Sequence, residues 1–205
     1  MDDLIFVDRG REAYLDTFHA MKTFTQTRTP DAPDEIWFSE HGPVFTYGKF
    51  GDLSHLLNAK DIPVVATDRG GQITYHGPGQ LMIYPLMNLR RAGLGIREWV
   101  FLLEERVIRL LKAYQLEGCR IEGKPGIYLQ DQKICAIGLK VTRGFTYHGM
   151  AFNVAMDLSP FQQINPCGYE NQRVTDLSSA LAEKGLASPS MEEVKQKFRA
   201  LFLSR

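Results

Sequence analysis

Cys167 stands between Pro166 and Gly168 in the run INPCGYEN. Proline and glycine together make a turn or loop, where a thiol is at least partly exposed. Partial exposure beside a positive charge is the setting of nucleophilic cysteines. An unpaired cysteine is more often a small buried hydrophobe. Cys135, inside the apolar run ICAIG, reads that way, and Cys119 follows a glycine just ahead of a strand-like run with no mark of reactivity. Lys133 opens the same apolar run as Cys135. A lysine at a strand end is ordinarily solvated, whereas one taken partly out of water gives up its proton more readily and can exchange it with a nearby thiol. His76 and His148 are rival bases, and a Cys/His pair is the commoner chemistry. No His/Cys pair has the spacing of zinc ligands. Spacing alone does not decide which of these side chains meets Cys167.

The densest segment is RGGQITYHGPGQ at 69–80, with Gly70, Gly71, Gly77 and Gly79 set around Arg69, Tyr75 and His76. Glycine lets the backbone take positive φ or approach a ligand closely, as a site enclosing a thin substrate requires. The plain alternative is a pair of tight turns around a short strand, with His76 a satisfied polar residue. The run is not a phosphate-binding P-loop, since it has no G-x-x-x-x-G-K-[ST]. Nor is it a dinucleotide-binding turn, because strand rather than helix follows. Thr-Tyr-His-Gly occurs at 74–77 and again at 146–149. Two copies make no solenoid, and the echo is read as coincidence, with both copies free to face one cleft.

These residues must be carried by a fold of 205 residues, enough for one domain with a sizeable core. Hydrophobic residues make up 44% and charged residues 23%, and Lys+Arg and Asp+Glu both count 24. Zero formal charge argues against broad electrostatic binding to nucleic acid. The start MDDLIFVDRG lacks the basic and apolar regions of a signal peptide, and no apolar run reaches the roughly 18 residues that span a bilayer. Three widely spaced cysteines without C-x-x-C make neither a disulfide framework nor a structural zinc site. The expectation is a cytoplasmic protein that binds neither nucleic acid nor membrane.

Apolar spacing predicts a first helix over 11–25, ended by TRTPDAPD. Strands follow at 35–40, 43–48 and 63–68, with a short helix capped by Ser54. QLMIYPLMNL at 80–89 reads as a strand whose Pro85 suggests an edge or a bulge. The longest helix is expected over 96–114, with Val100, Leu103, Val107, Leu110 and Tyr114 on one face. A hairpin at 126–129 and 133–141 and a strand at 145–154 follow, Gly144 supplying the bend. Ser190 and Glu193 form a capping box that opens a last helix. Strands fill the middle without regular β-α-β alternation, which predicts an α+β fold with a mixed β-sheet flanked by helices.

Taken together, the sequence resembles the lipoate-protein octanoyltransferases. The resemblance rests on EHGPVFTYGK at 40–49, RGGQITYHGPGQL at 69–81, GKPGIY at 123–128, KICAIGLKV at 133–141, FTYHGMAFNV at 145–154, PCG at 166–168 and VTDL at 174–177. It covers most of the chain, as one catalytic domain over 1–205, and the order and spacing of the motifs together are specific. It implies the fold shared by biotin and lipoate protein ligases. The implied activity moves an octanoyl or lipoyl group from acyl carrier protein to a lysine of lipoyl domains, those of 2-oxoacid dehydrogenase complexes and the glycine cleavage carrier protein. Position by position, Cys167 matches the acyl-thioester nucleophile and Lys133 its acid/base partner. Arg69, Gly70, Gly71, Gln72, Ile73, Thr74, Tyr75 and His76 match substrate-contacting positions, as do Ala136, Ile137, Gly138, Gly149, Met150 and Ala151. No cofactor or metal is implied, and a monomer is expected. Ile137, Met150 and Leu81 are candidates for an acyl tunnel, and Arg69 and Lys49 for contacts to an acidic carrier. The nearest rival is an ATP-dependent lipoate or biotin ligase, which shares the glycine-rich run and the lysine strand but has no need of Cys167. A non-catalytic module that binds acyl carrier or lipoyl domains is the rival from another class.

Overall fold

The computed structural model describes residues 4–59, 61–165 and 172–204. Among the described residues, ten strands form two sheets. Strands β1 (Ile5–Glu12), β2 (Glu35–His41), β6 (Gln80–Leu86), β7 (Gly118–Ile121), β8 (Lys124–Leu129), β9 (Gln132–Thr142) and β10 (Phe145–Asn153) make a seven-stranded sheet in the order β1-β2-β6-β10-β9-β8-β7. Strands β3 (Val44–Tyr47), β4 (Val64–Ala66) and β5 (Thr74–His76) make a smaller one in the order β4-β3-β5. The β1–β2 and β3–β4 pairs are parallel and the rest antiparallel, so the expected mixed sheet is present.

Period-two alternation sorts side chains to the two faces of the large sheet. Leu81, Ile83, Cys135, Met150 and Phe152 point into a core closed by Trp99, Leu103, Val107 and Leu110 of α3 (Ile96–Ala113) and by Val194, Phe198 and Phe202 of α5 (Met191–Leu203). Met82, Tyr84, Tyr147 and Ala151 point to the other face, under Tyr14, Phe18 and Met21 of α1 (Tyr14–Thr27). Each large apolar side chain buried this way contributes about 1.5–3 kcal/mol. Two short helices, α2 (Leu89–Ala92) and α4 (Leu177–Ala182), complete the fold. Ser190 and Glu193 cap α5 reciprocally, as the spacing predicts.

Three expectations need correction. Arg11 and Glu12, expected to open the first helix, end strand β1 instead, which the alternation does not betray because this edge strand is half-exposed on both sides. Its strand character comes from parallel pairing with β2, a distant partner. Ser54 does not cap its short turn; Asp52 does, accepting from the Ser54 N–H at 2.8 Å. The proline strand is no edge, since β6 pairs with β2 on one side and β10 on the other. Pro85 is tolerated because the β10 ladder stops at Met150–Ile83. Beyond it Thr146 Oγ1 donates to the Pro85 carbonyl at 2.6 Å and accepts from the Met87 N–H at 2.9 Å. Gly149 is required at this irregularity: a Cβ there would stand 2.0 Å from the Ile83 oxygen and 2.7 Å from Pro85 Cδ.

Candidate active site

A cleft opens between the small sheet and the α1 side of the large one. Arg69, Gly71, Gln72, Ile73, Thr74 and His76 line it from the glycine-rich run, Ala136, Ile137 and Gly138 from β9, and Gly149, Met150 and Ala151 from β10. Strand register explains its floor. Ala136 lies opposite Ala151 and Gly138 opposite Gly149, so two pairs of minimal side chains share the cleft face. Between them Ile137 lies opposite Met150, and these two border the cleft while their side chains pack with the α3 core. Leu81 also belongs to that core. Of the acyl-tunnel candidates, Ile137 and Met150 border the cleft and Leu81 does not. Met82, Tyr84 and Tyr14 line the cleft as well. Even-numbered positions of β6 were legible as one face, but not which face the small sheet would cover.

Gly70 sits against β9, its N–H donating to the Leu139 carbonyl at 3.0 Å. That close approach explains Gly138, where a Cβ would stand 2.9 Å from the Gly70 oxygen and 3.2 Å from Arg69 Cδ. In β5, Thr74 and His76 face the cleft and Tyr75 faces away, packed on Phe45 and Phe161 with ring centroids 5.6 and 5.5 Å apart. Both histidines of the sequence echo, His76 and His148, line the cleft.

Arg69 is buried, and its guanidinium donates to the carbonyls of Gly70, Thr46 and Gln72 at 2.9, 2.7 and 2.9 Å. It ties the glycine-rich run to β3 from within and is not a surface contact for a carrier. Burial drives the pKa of His76 down to about 3, so the ring is neutral at physiological pH. Tyr14 stacks on it at 5.6 Å, nearly parallel, and burial raises the Tyr14 hydroxyl to about 12. His148 donates from Nε2 to Asp68 Oδ1 at 2.8 Å, and Tyr147 donates to Asp68 Oδ2 at 2.5 Å. The His148 hydrogen bond holds the Asp68 carboxyl down at about 2. Burial keeps the His148 pKa below its ordinary value despite that carboxylate, so the pair is a carboxylate receiving a neutral imidazole N–H. Both histidines are engaged elsewhere, which weakens them as bases.

Lys133 is the reverse of a solvated strand-end lysine. It is 4% exposed. Its Nζ donates to the Pro125 carbonyl at 2.9 Å and lies 5.2 Å from the centroid of the Tyr128 ring. Its backbone is clamped by the chain that follows residue 171: the Lys133 N–H donates to Arg173 O at 2.9 Å and Lys133 O accepts from Thr175 N–H at 3.0 Å. Cys167 lies outside the described residues. Cys135 is fully buried in the core, where burial pushes its thiol far above the ordinary value, and Cys119 is exposed.

Residues 13–203 match the family described as the lipoyl protein ligase A/B catalytic domain. The chain belongs to this family. It is similar to the octanoyltransferase of Vibrio vulnificus (strain CMCP6), 48% identical over 197 residues that cover 96% of this chain and 90% of that protein. Among solved structures it is similar to a bi-partite lipoate protein ligase from Thermoplasma acidophilum, with a TM-score of 0.71, 15% identity and coverage of 97% and 81% of the two chains. It is also similar to biotin protein ligase from Aquifex aeolicus in complex with biotin and ATP, with a TM-score of 0.58, 11% identity and coverage of 98% and 68%. At these identities the likeness is one of fold, and the fold is the expected biotin/lipoate ligase type. Family membership and similarity to a protein named octanoyltransferase together favour an enzyme over a docking module.

Proposed function

We propose that this chain is an octanoyltransferase that moves an octanoyl or lipoyl group from acyl carrier protein to a lysine of lipoyl domains, through a thioester on Cys167. The observation that carries the reading is Lys133, an amine withdrawn from water and clamped by its backbone to residues 173 and 175, within eight positions of Cys167. Nearly full-length similarity to a protein named octanoyltransferase supports the same reading.

In the first step the Cys167 thiolate attacks the carrier thioester carbonyl. The carrier thiolate leaves and takes a proton from the Lys133 ammonium. In the second step the acceptor lysine amine attacks the acyl-enzyme, gives its surplus proton to Lys133, and expels Cys167. Thioester exchange is nearly balanced, and formation of the more stable amide draws the sequence forward. The cleft floored by Ala136, Gly138, Gly149 and Ala151 receives the thin acyl chain, and backbone N–H groups of the glycine-rich run steady the tetrahedral oxyanion. The acceptors are the lipoyl domains of 2-oxoacid dehydrogenase complexes and the glycine cleavage carrier protein, served in the cytoplasm by a monomer of one domain.

The test is transfer from octanoyl carrier protein without ATP, followed by intact-mass spectrometry. An octanoyl adduct on the wild-type chain that is lost in Cys167→Ala is expected. Strict ATP dependence would assign the ligase reaction instead, and unaltered turnover of Cys167→Ala would overturn the thioester mechanism.

A further inference from the structure

One line of hydrogen bonds crosses the interior from the glycine-rich run to the Lys133 strand. Arg69 Nη2 donates to Thr46 Oγ1 at 3.0 Å, and Thr46 Oγ1 meets His76 Nε2 at 3.0 Å. His76 Nδ1 meets Gln80 Oε1 at 2.8 Å. Gln80 Nε2 donates to Asn153 Oδ1 at 2.8 Å, and Asn153 Nδ2 donates to the Thr175 carbonyl at 2.9 Å. The N–H of that same Thr175 donates to Lys133 O. Thr46, His76, Gln80, Asn153 and Thr175 are all buried.

The two ends set the direction of the whole line. A guanidinium only donates and a carbonyl only accepts. With His76 neutral, Nε2 accepts from the Thr46 hydroxyl and Nδ1–H donates to Gln80. Gln80 must then turn its amide nitrogen toward Asn153, and Asn153 must turn its own nitrogen toward Thr175. Buried amides are costly unless fully bonded, so each residue locks the rotamer of the next. The Thr175 carbonyl thus cannot turn without breaking a bond that Gln80 holds in register. The segment it belongs to also frames the Lys133 backbone.

We propose that Asn153, with its amide oriented by Gln80, is a positioning residue for Lys133, holding the 173–175 segment at the distance the acid/base step needs. The proposal rests on the acyl-transfer reading of Lys133 and Cys167. Asn153 does not line the cleft and is bonded to Gln80 and to the Thr175 carbonyl; it acts through Thr175.

Asn153→Asp keeps the shape and the acceptor for Gln80 but sets a carboxylate oxygen against the Thr175 carbonyl. Gln80→Glu keeps the acceptor for His76 but removes the donor to Asn153. Single-turnover acylation by octanoyl carrier protein is measured over donor concentration, with the folded fraction from urea titration. Each variant should lower the saturating rate roughly 10- to 100-fold while the half-saturating donor concentration stays within about twofold. A residue needed only for folding would reduce the folded fraction and leave the saturating rate per folded molecule unchanged. Saturating rates within about twofold of wild type in the folded variants, or a loss confined to half-saturation, overturn the proposal. If Asn153→Asp does not fold, Gln80→Glu decides on the same two readings. Wild type and Cys167→Ala run alongside: an inactive wild type or an active Cys167→Ala sinks the acyl-transfer reading itself, whereas an active wild type matched by Asn153→Asp sinks only the positioning role.

Discussion

Lys133 and Val174 form a parallel bridge outside the main ladders. The Lys133 N–H reaches Arg173 and its carbonyl receives the Thr175 N–H, so 41 positions of separation close to one backbone contact. This bridge draws the chain that follows the Pro-Cys-Gly run onto the strand that carries the buried amine.

Replacing Lys133 by Met should remove the proton carrier while preserving most of the packing. Transfer is expected to fall by about 100-fold or more. Stability should move by no more than about 1 kcal/mol, because relief of a buried ammonium offsets the lost bond to Pro125. Stopped-time transfer assays and urea midpoints check both; full activity in Lys133→Met would remove it from the mechanism.

Ala151→Leu should shorten the accepted acyl chain. The isobutyl side chain, larger than the methyl by an isopropyl group, rises from the cleft floor opposite Ala136. Discrimination of about 1–3 kcal/mol is the scale for one or two methylenes in an apolar pocket, so the ratio of kcat/KM for octanoyl over butanoyl carrier should drop roughly tenfold or more. An unchanged ratio would place the acyl chain elsewhere.

Arg69→Lys should loosen the glycine-rich run. A single ammonium cannot replace a planar fork that reaches the carbonyls of Thr46, Gly70 and Gln72. A loss of roughly 1–3 kcal/mol is expected for bonds left unmade around a buried charge. KM for the acyl donor should rise with it. Urea titration and steady-state kinetics would show neither change if Arg69 were merely a surface cation.

Acid should weaken the fold before the carboxylates titrate. Burial lowers the pKa of His41, His76 and His148 in the folded chain, that of His76 to about 3. A depressed folded pKa means the stability these groups supply is complete above the unfolded value of about 6.5 and is lost as pH falls through the folded value. Each histidine then costs at most about 1.4 kcal/mol per pH unit, and only between 6.5 and its own folded value. Asp68, held at about 2 by His148, adds a loss in the same direction below its ordinary range. Urea midpoints at pH 7.5 and 5 should differ clearly, and His76→Gln should flatten the slope; a wild-type slope already flat would contradict neutral burial.

Local chemistry was legible wherever a signal repeats along a short stretch. The hairpin at 126–141 shows in its turn residues, α5 in its capping box, and the β9 and β10 strands in their apolar runs. Strand β1 was not, because a half-exposed edge strand has no pattern of its own and needs β2 to define it. Pro85 misled for a related reason: its missing N–H signals an edge, and only the Thr146 hydroxyl and the Gly149 gap let it stand in a central strand.

The residue types at 69–76, 133–138, 149–151 and 167 were enough, by sequence alone, to indicate the family. Which side chains enter the cleft was a tertiary matter. A strand's period of two separates two faces but does not say which one another sheet will cover, so Ala136 and Ala151 turn toward the cleft while Ile137 and Met150, at its border, also pack into the α3 core. The burial of Lys133 likewise depends on Pro125, Tyr128 and the returning 173–175 segment. Desolvation is a property of what surrounds a group, and those neighbours are brought to Lys133 by folding.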